Sequence, residues 1–122
     1  MDAIQAVVLN LRNDSGVDAL ISNRIYFKYA PNGVDYPLVN VSPVSSLAMN
    51  TLDGEVTNTN RERLQIDVWG ENYEDVATVA AAVKTAINAE STNFKPVIQD
   101  TRHDDDLNNG LVRIILDYAL WI

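Results

Sequence analysis

The chain has 122 residues, of which 47% are hydrophobic and 21% are charged. This length and composition are typical of one globular domain, predicted here over residues 1–122, and they exclude a chain that is disordered throughout. The sequence contains no cysteine and a single histidine, His103. It therefore excludes disulfides, thiolate metal sites, cysteine nucleophiles and any site that needs two imidazoles from one chain.

The net charge is −8 at pH 7, from 9 Lys and Arg against 17 Asp and Glu. Phosphate-binding surfaces need local positive charge, and among the cations only Arg61 and Arg63 lie close together. This balance argues against sequence-specific nucleic-acid binding and against a polybasic membrane patch. Asp2 stands where a signal peptide would have a basic region, and the most apolar run, residues 76–83, is too short to span a bilayer. We therefore expect a protein made and used in the cytosol, or in an assembly built there.

Two short helices are predicted at the start of the chain. A helix over residues 3–12 has its apolar side chains at helical spacing, namely Ile4, Val7, Val8 and Leu11. Residues 13–16 interrupt this pattern. Ser15, with Asp18 three residues later, is then expected to cap a second helix. The side chains that this helix is expected to bury are Val17, Leu20 and Ile21.

The middle of the chain predicts strands separated by turns. Residues 24–29 are rich in aromatic and β-branched side chains, residues 30–33 have turn composition, and residues 36–42 read as the next strand. Residues 45–60 are polar and aperiodic, which predicts either a long loop or the extended tip of a hairpin. Residues 61–69 alternate cleanly. One face of that strand has Leu64, Ile66 and Val68, and the other has Arg63, Gln65, Asp67 and Trp69.

The last third of the chain predicts one long helix and two more strands. Asn72, with Asp75, is expected to cap a helix over residues 73–89. Its buried stripe comprises Val76, Val79, Ala80, Val83 and Ile87. Residues 95–99 predict a short strand, residues 100–110 an acidic turn, and residues 111–122 the final strand, whose polar face contains Arg113, Asp117 and Trp121.

This order of elements predicts an α+β fold. We expect a mostly antiparallel or mixed sheet of four to five strands, made of hairpin-like blocks, with helices packed on one face. Those helices are the N-terminal helix pair and the one long helix. The second face of the sheet then presents the residues that we predict as a subunit interface, because Trp and Arg are enriched where proteins associate: Arg63, Trp69, Arg113 and Trp121. A ligand-stacking role for the two tryptophans is the alternative.

No catalytic, cofactor-binding or metal-binding residues are predicted. His103 and the three aspartates that follow it are the residue types that bind divalent cations. Neighbours on one turn rarely converge on an ion, so a solvated acidic loop is the favoured interpretation and a small metal-dependent hydrolase is the alternative. Ser45 and Ser46 lie in no Gly-x-Ser-x-Gly motif. The isolated glycines form no phosphate-binding loop.

Nearly the whole chain, in collinear order, resembles the bacteriophage tail-completion family, which includes the tail terminators of long-tailed phages and related prophages. The segments that carry the resemblance are residues 17–21 (VDALI), 23–26 (NRIY), 29–31 (YAP), 36–39 (YPLV), 51–54 (TLDG), 63–69 (RLQIDVW), 73–75 (YED) and 113–121 (RIILDYALW). None of these segments is diagnostic alone, and their combination is moderately specific.

The resemblance implies a structural virion protein without cofactor or catalysis. It implies a homo-oligomeric ring, expected to be a hexamer, at the head-proximal end of the tail tube. Such a ring stops tube polymerisation and joins the tail to the head. The implied partners are the tail tube protein and a head-completion or connector protein, with DNA passing through unbound and no membrane involved. Another neck or tail component, such as a head-completion stopper or a tube subunit, is the alternative.

Two further predictions combine this implied ring with the residues. The segment 45–60 is expected to contact the tube or a neighbouring subunit through Leu47, Met49, Thr51 and Leu52. An acidic lumen would repel passing DNA, so part of the following group is expected to face it: Asp53, Glu55, Asp104, Asp105 and Asp106.

Overall fold

The computed structural model describes residues 3–31, 33–50, 56–89, 94–106 and 108–121. Its elements are, in chain order, α1 (Ala3–Asn13), α2 (Ser15–Ile21), β1 (Ile25–Phe27), β2 (Leu38–Asn50), β3 (Val56–Gly70), α3 (Tyr73–Asn88), β4 (Lys95–His103) and β5 (Val112–Trp121). The strands form one mixed sheet in the order β1-β2-β3-β5-β4. The predicted α+β fold, with its N-terminal helix pair and one long helix, is confirmed.

The hydrophobic core lies between the helices and one face of the sheet. The predicted stripe of α3 is buried at every position, and Ala86 is buried with it. The sheet supplies the alternate residues of its central strands: Val39, Val41, Leu64, Ile66, Val68, Ile114, Leu116, Tyr118 and Leu120. Periodicity of 3.6 in the helix and of 2 in the strands therefore located the core correctly.

One helix cap is as predicted and one is not. Asn72 Oδ1 accepts a hydrogen bond of 2.9 Å from the Asp75 backbone N–H at the start of α3. The predicted Ser15 cap of α2 is wrong, because Asp14 Oδ1 accepts from the Val17 N–H at 3.0 Å and Ser15 is already helical. Leu20 is also exposed rather than buried, since α2 turns only Val17 and Ile21 towards the core.

Although the sequence predicts hairpin-like blocks, β1 and β2 do not form a hairpin. β1 has only three residues and runs parallel to β2, with Ile25 beside Val39. A hydrogen bond from Lys28 N to Val41 O, of 3.0 Å, ends the pairing. Alternation of apolar residues is the same for either strand direction, so the sequence pattern could not distinguish a parallel from an antiparallel neighbour.

Residues 45–50 and 56–60 belong to a long hairpin, and we call these two stretches the arm. β2 and β3 pair antiparallel out to Asn50 and Val56, with irregularities between Pro43 and Ser45 and between Ala48 and Asn50. β5 ends opposite Arg61, so farther out the described part of the chain gives the arm two strands only. The long-loop alternative is therefore wrong for residues 45–50 and 56–60, and the extended-hairpin alternative is confirmed there. Apolar alternation marks a strand that covers a core, and the arm lacks that signal.

β4 is longer than predicted. It extends from Lys95 to His103 and pairs antiparallel with β5, with an irregularity between Ile98 and Asp100. Residues 100–103 are therefore strand and not turn. β4 is an edge strand, and most of its side chains are exposed. Because an exposed strand needs no alternation of apolar residues, its second half resembled a polar turn in the sequence.

Candidate functional site

The face of the sheet that points away from the helices is the candidate functional site, and we call it the helix-free face. Its residues are opposite one another across β3 and β5, so Trp69 is opposite Arg113 and Arg61 is opposite Trp121. The full strip across these two strands comprises Arg61, Arg63, Gln65, Asp67, Trp69, Arg113, Ile115, Asp117, Ala119 and Trp121. The four residues predicted as an interface therefore share one face.

A network of ion pairs crosses this face. Arg113 Nη2 lies 3.1 Å from Asp67 Oδ2, and Arg113 Nη1 lies 3.3 Å from Asp104 Oδ2. Arg102 Nη2 is 3.1 Å from Asp117 Oδ2, and Arg63 approaches the same oxygen at 3.9 Å. Asp67 and Asp117 are buried, and a buried carboxylate requires such partners because desolvation of a lone charge is costly. The network therefore stabilises a charged surface in one arrangement.

Both tryptophans lie beside arginines. The Arg113 guanidinium carbon is 4.9 Å from the centre of the Trp69 ring, and that of Arg61 is 6.0 Å from the centre of the Trp121 ring. A guanidinium over an indole gains both cation–π attraction and apolar contact. Each end of the β3–β5 ladder thus has an aromatic platform with a fixed cation, which is the type of surface that protein interfaces use as an anchor.

Three polar atoms on this face are buried without a hydrogen-bond partner in the described part of the chain. They are Asn40 Oδ1, Arg63 Nε and Arg113 Nε. Asn40 is opposite Asp67 in the register of β2 and β3, so all three belong to the same surface. Buried polar groups are nearly always hydrogen-bonded. Their clustering indicates a surface that is completed by water or by another molecule.

An open notch of about 540 Å³ lies at one end of the helix-free face, and we call it the acidic notch. Its lining comprises Trp69, Asp104, Asp105, Asp106, Asn108 and Arg113. Asp104 binds Arg113, Asp105 Oδ1 accepts from the Arg113 backbone N–H at 3.5 Å, and Asp106 accepts from Asn109. These bonds hold the acidic turn against the start of β5.

His103 does not join the three aspartates that follow it. Its ring stacks on Tyr73, at the start of α3, with the ring centres 5.9 Å apart. It is opposite Ile114, whose side chain belongs to the core side of the sheet. Within the described ranges, no group of three or more His, Cys, Asp or Glu residues is arranged to hold a metal ion.

The remaining predicted residues lie in two places. Leu47 and Met49 belong to β2 in the arm, whereas Thr51, Leu52, Asp53 and Glu55 lie outside the described residues. Sequence reasoning missed Arg102 and Asn40 as members of the helix-free face. No sequence signal could have found Arg102, because its position on the face depends on the irregularity in β4.

One family model matches almost the whole chain, and a solved structure shares its fold. The family described as Tail completion protein gp17 matches residues 5–122. Among solved structures, a chain from the virion of a native gene transfer agent particle has the same fold. It superposes with a TM-score of 0.75 at 18% sequence identity, over 99% of this chain and 98% of that chain. No curated protein matches the sequence. Among the described residues, the helices are too short or too polar to cross a membrane.

Proposed function

The chain belongs to the family of tail completion protein gp17, and from that membership we propose that it forms a six-copy ring at the head-proximal end of a phage tail tube. It is a structural protein of the phage tail. In the proposed role, the ring stops polymerisation of the tube and supplies the surface on which the head docks. Its partners are the tail tube protein on one side and a head-completion or connector protein on the other.

The observation that best supports a ring is the helix-free face. It combines two tryptophans, a network of ion pairs and three buried polar atoms that have no partner among the described residues. A sheet face left for solvent would be more uniformly polar. We therefore assign Arg63, Trp69, Arg113 and Trp121 to a contact between subunits.

The arm is proposed to contact the tube or the neighbouring subunit. Beyond Arg61 no third strand among the described residues pairs with it, so it extends past the other described strands of the sheet. Leu47 and Met49 on β2, with Thr51 and Leu52 beyond it, are the proposed contact residues. If a chain lacking residues 48–58 still folded and attached tails to heads, the arm would have no such role.

The lumen of the ring is proposed to be acidic. Six copies would carry six times the charge of −8, and carboxylates around the channel would repel phosphates rather than bind them. Part of the group formed by Asp53, Glu55, Asp104, Asp105 and Asp106 supplies this charge. A ring structure with all five on its outer rim would overturn the assignment.

A stop codon early in the gene tests the proposed function in the parent phage or prophage. After induction, negative-stain electron microscopy is expected to show overlong tails without heads beside DNA-filled heads. Supplying the intact gene from a plasmid should restore joined particles of normal length. Tails of normal length without heads would instead indicate a stopper, absent tubes a tube subunit, and intact infectious particles a role outside the virion.

A further inference from the structure

This inference rests on the proposed ring and concerns the two surfaces through which neighbouring copies meet. A closed ring is built from head-to-tail contacts, in which each copy uses two different surfaces. We propose that these two surfaces are the helix-free face, at its acidic notch, and an exposed corner at the end of β1. We call this corner, formed by Phe27, Lys28 and Tyr29, the aromatic corner. The corner of one copy docks in the notch of the next.

The aromatic corner is unusually exposed for its composition. Phe27 is 54% exposed and Tyr29 is 78% exposed. Between them, Lys28 has a φ of +66°, a left-handed conformation that is unfavourable for a residue with a Cβ. Its Nζ lies 5.3 Å from the Phe27 ring centre. In the described part of the chain, Lys28 makes no ion pair. The corner therefore presents two exposed aromatic rings and a cation that makes no ion pair with the described residues.

The charges of the two surfaces are complementary. Residues 19–34, which include the aromatic corner, contain two cations, Arg24 and Lys28, and no carboxylate. Residues 100–106, which end at the acidic notch, contain four carboxylates and one arginine. Charge complementarity of this kind orients partners and favours the correct pairing. Asp104 is 65% exposed even while it binds Arg113, so it remains accessible to a second cation.

The two surfaces of one copy cannot meet each other. β1 and β4 are the opposite edges of the sheet and Asp104 directly follows β4, so four interstrand steps separate Lys28 from Asp104 by about 19 Å. The acidic notch extends from Asp104 to Trp69 at the end of β3, which is still two strands from β1. A lysine at the β1 edge cannot bridge that distance. The opposite charges of the corner and the notch can therefore pair only between two molecules. Because each copy has one corner and one notch, the contact is head-to-tail.

Docking would place aromatic rings against the Trp69 side of the notch and the Lys28 ammonium beside Asp104. Aromatic residues in a desolvated recess, with a charged pair beside them, are the arrangement that supplies most of the affinity in protein interfaces. This assigns Asp104 to the contact between subunits rather than to the lumen.

Thiol cross-linking tests the contact cleanly, because the chain has no cysteine of its own. The double variant Lys28→Cys with Asp104→Cys is introduced into the parent phage, and purified particles are treated with a short bis-maleimide, because a lysine–aspartate ion pair leaves the two Cβ atoms farther apart than the ~4 Å that a disulfide spans. A head-to-tail contact is expected to give a ladder of covalent multimers on a non-reducing gel. Each single variant should remain uncross-linked. As a matched control, Lys28→Cys is combined with Glu74→Cys, which is exposed at the start of α3 and should give no ladder.

The inference is overturned if intact particles give no ladder, or if the Glu74 control cross-links equally. It is also overturned if Lys28→Cys alone gives dimers, because that indicates a symmetric contact. If the cysteine variants do not assemble, charge reversal tests the contact instead. Lys28→Glu should lower the particle yield at least tenfold, and the double variant Lys28→Glu with Asp104→Lys should restore part of the yield. An unchanged yield with Lys28→Glu, or no restoration, also contradicts the contact. A failed stop-codon test would instead remove the proposed function itself.

Discussion

Asp67 and Asp117 are carboxylates buried on a sheet face that the described helices do not cover. Arginines provide both the cover and the counter-charge, since Arg113 and Arg102 each lie 3.1 Å from one of them. Removing Arg113 would leave Asp67 with the hydrogen bond of 2.9 Å from Gln65 Nε2 but without its nearest cation, and removing Arg102 would leave Asp117 with Arg63 at 3.9 Å. Loss of the nearest counter-charge from a buried carboxylate costs more than the pair itself contributes. These residues are consequently needed for the shape of the surface, whatever molecule meets it.

Tyr118 provides a pH-dependent test of the core. Burial raises the pKa of its hydroxyl to about 12, against about 10 in an unfolded chain. The stabilisation that depends on its neutral form is complete below pH 10 and is lost as the pH rises through 12. Between pH 9 and pH 11, the free energy of unfolding of wild type is expected to fall by about 1 kcal/mol more than that of Tyr118→Phe.

Urea unfolding at the two pH values measures this difference. Because the Tyr118 hydroxyl has no hydrogen-bond partner in the described structure, Tyr118→Phe should be at least as stable as wild type at neutral pH. Tyr73→Phe, at an exposed position, is the matched control and should follow wild type. Equal losses in wild type and Tyr118→Phe would contradict the burial argument.

Among the elements, α2 is a helix whose N-cap residue the sequence analysis misassigned. Ser and Asp are both good N-cap residues, and the chain offers Asp14 and Ser15 in succession. The structure uses Asp14 because α1 ends at Asn13, and the Asp14 N–H donates back to Leu11 O at 3.3 Å. The second helix therefore begins directly after the first.

Alanine variants test which residue caps α2. Asp14→Ala should lower the free energy of unfolding by about 1 kcal/mol, because the Val17 N–H loses its acceptor. Ser15→Ala, one position later, should change it little. Thermal or urea unfolding by circular dichroism measures both variants. If Ser15→Ala had the larger effect, the sequence-based cap would be correct and the structural one wrong.

In the molecule as a whole, the two faces of the sheet have different roles, one in folding and one in assembly. The helix side contains the core and accounts for folding. The helix-free side contains tryptophans, ion pairs and unpartnered polar atoms, and we assign it to assembly. This separation predicts that a truncation on the helix-free face should impair the ring while the subunit stays folded.

Trp121→Ala tests that separation. Loss of an anchoring tryptophan is expected to cost about 2 kcal/mol of association per contact, which corresponds to roughly a 30-fold weaker contact. Complementation of the stop-codon phage should therefore yield far fewer joined particles, whereas the thermal unfolding of the subunit should still be cooperative. Tyr73→Ala removes a similarly large exposed ring from the helix side and should assemble normally. Normal assembly of a folded Trp121→Ala subunit would refute the interface.

The sequence by itself determined the α+β class, the α3 stripe and the alternating faces of β3 and β5, because those features arise from local periodicity over a core. It also grouped Arg63, Trp69, Arg113 and Trp121 on one face by the same alternation. Only the tertiary structure decided that β1 is parallel to β2, that β4 continues to His103 and that the polar segment is an arm. Strand direction and edge pairing depend on backbone hydrogen bonds between distant residues, and these leave no period in the sequence. The notch and the corner, too, exist only because the fold places β4 and β1 at opposite edges.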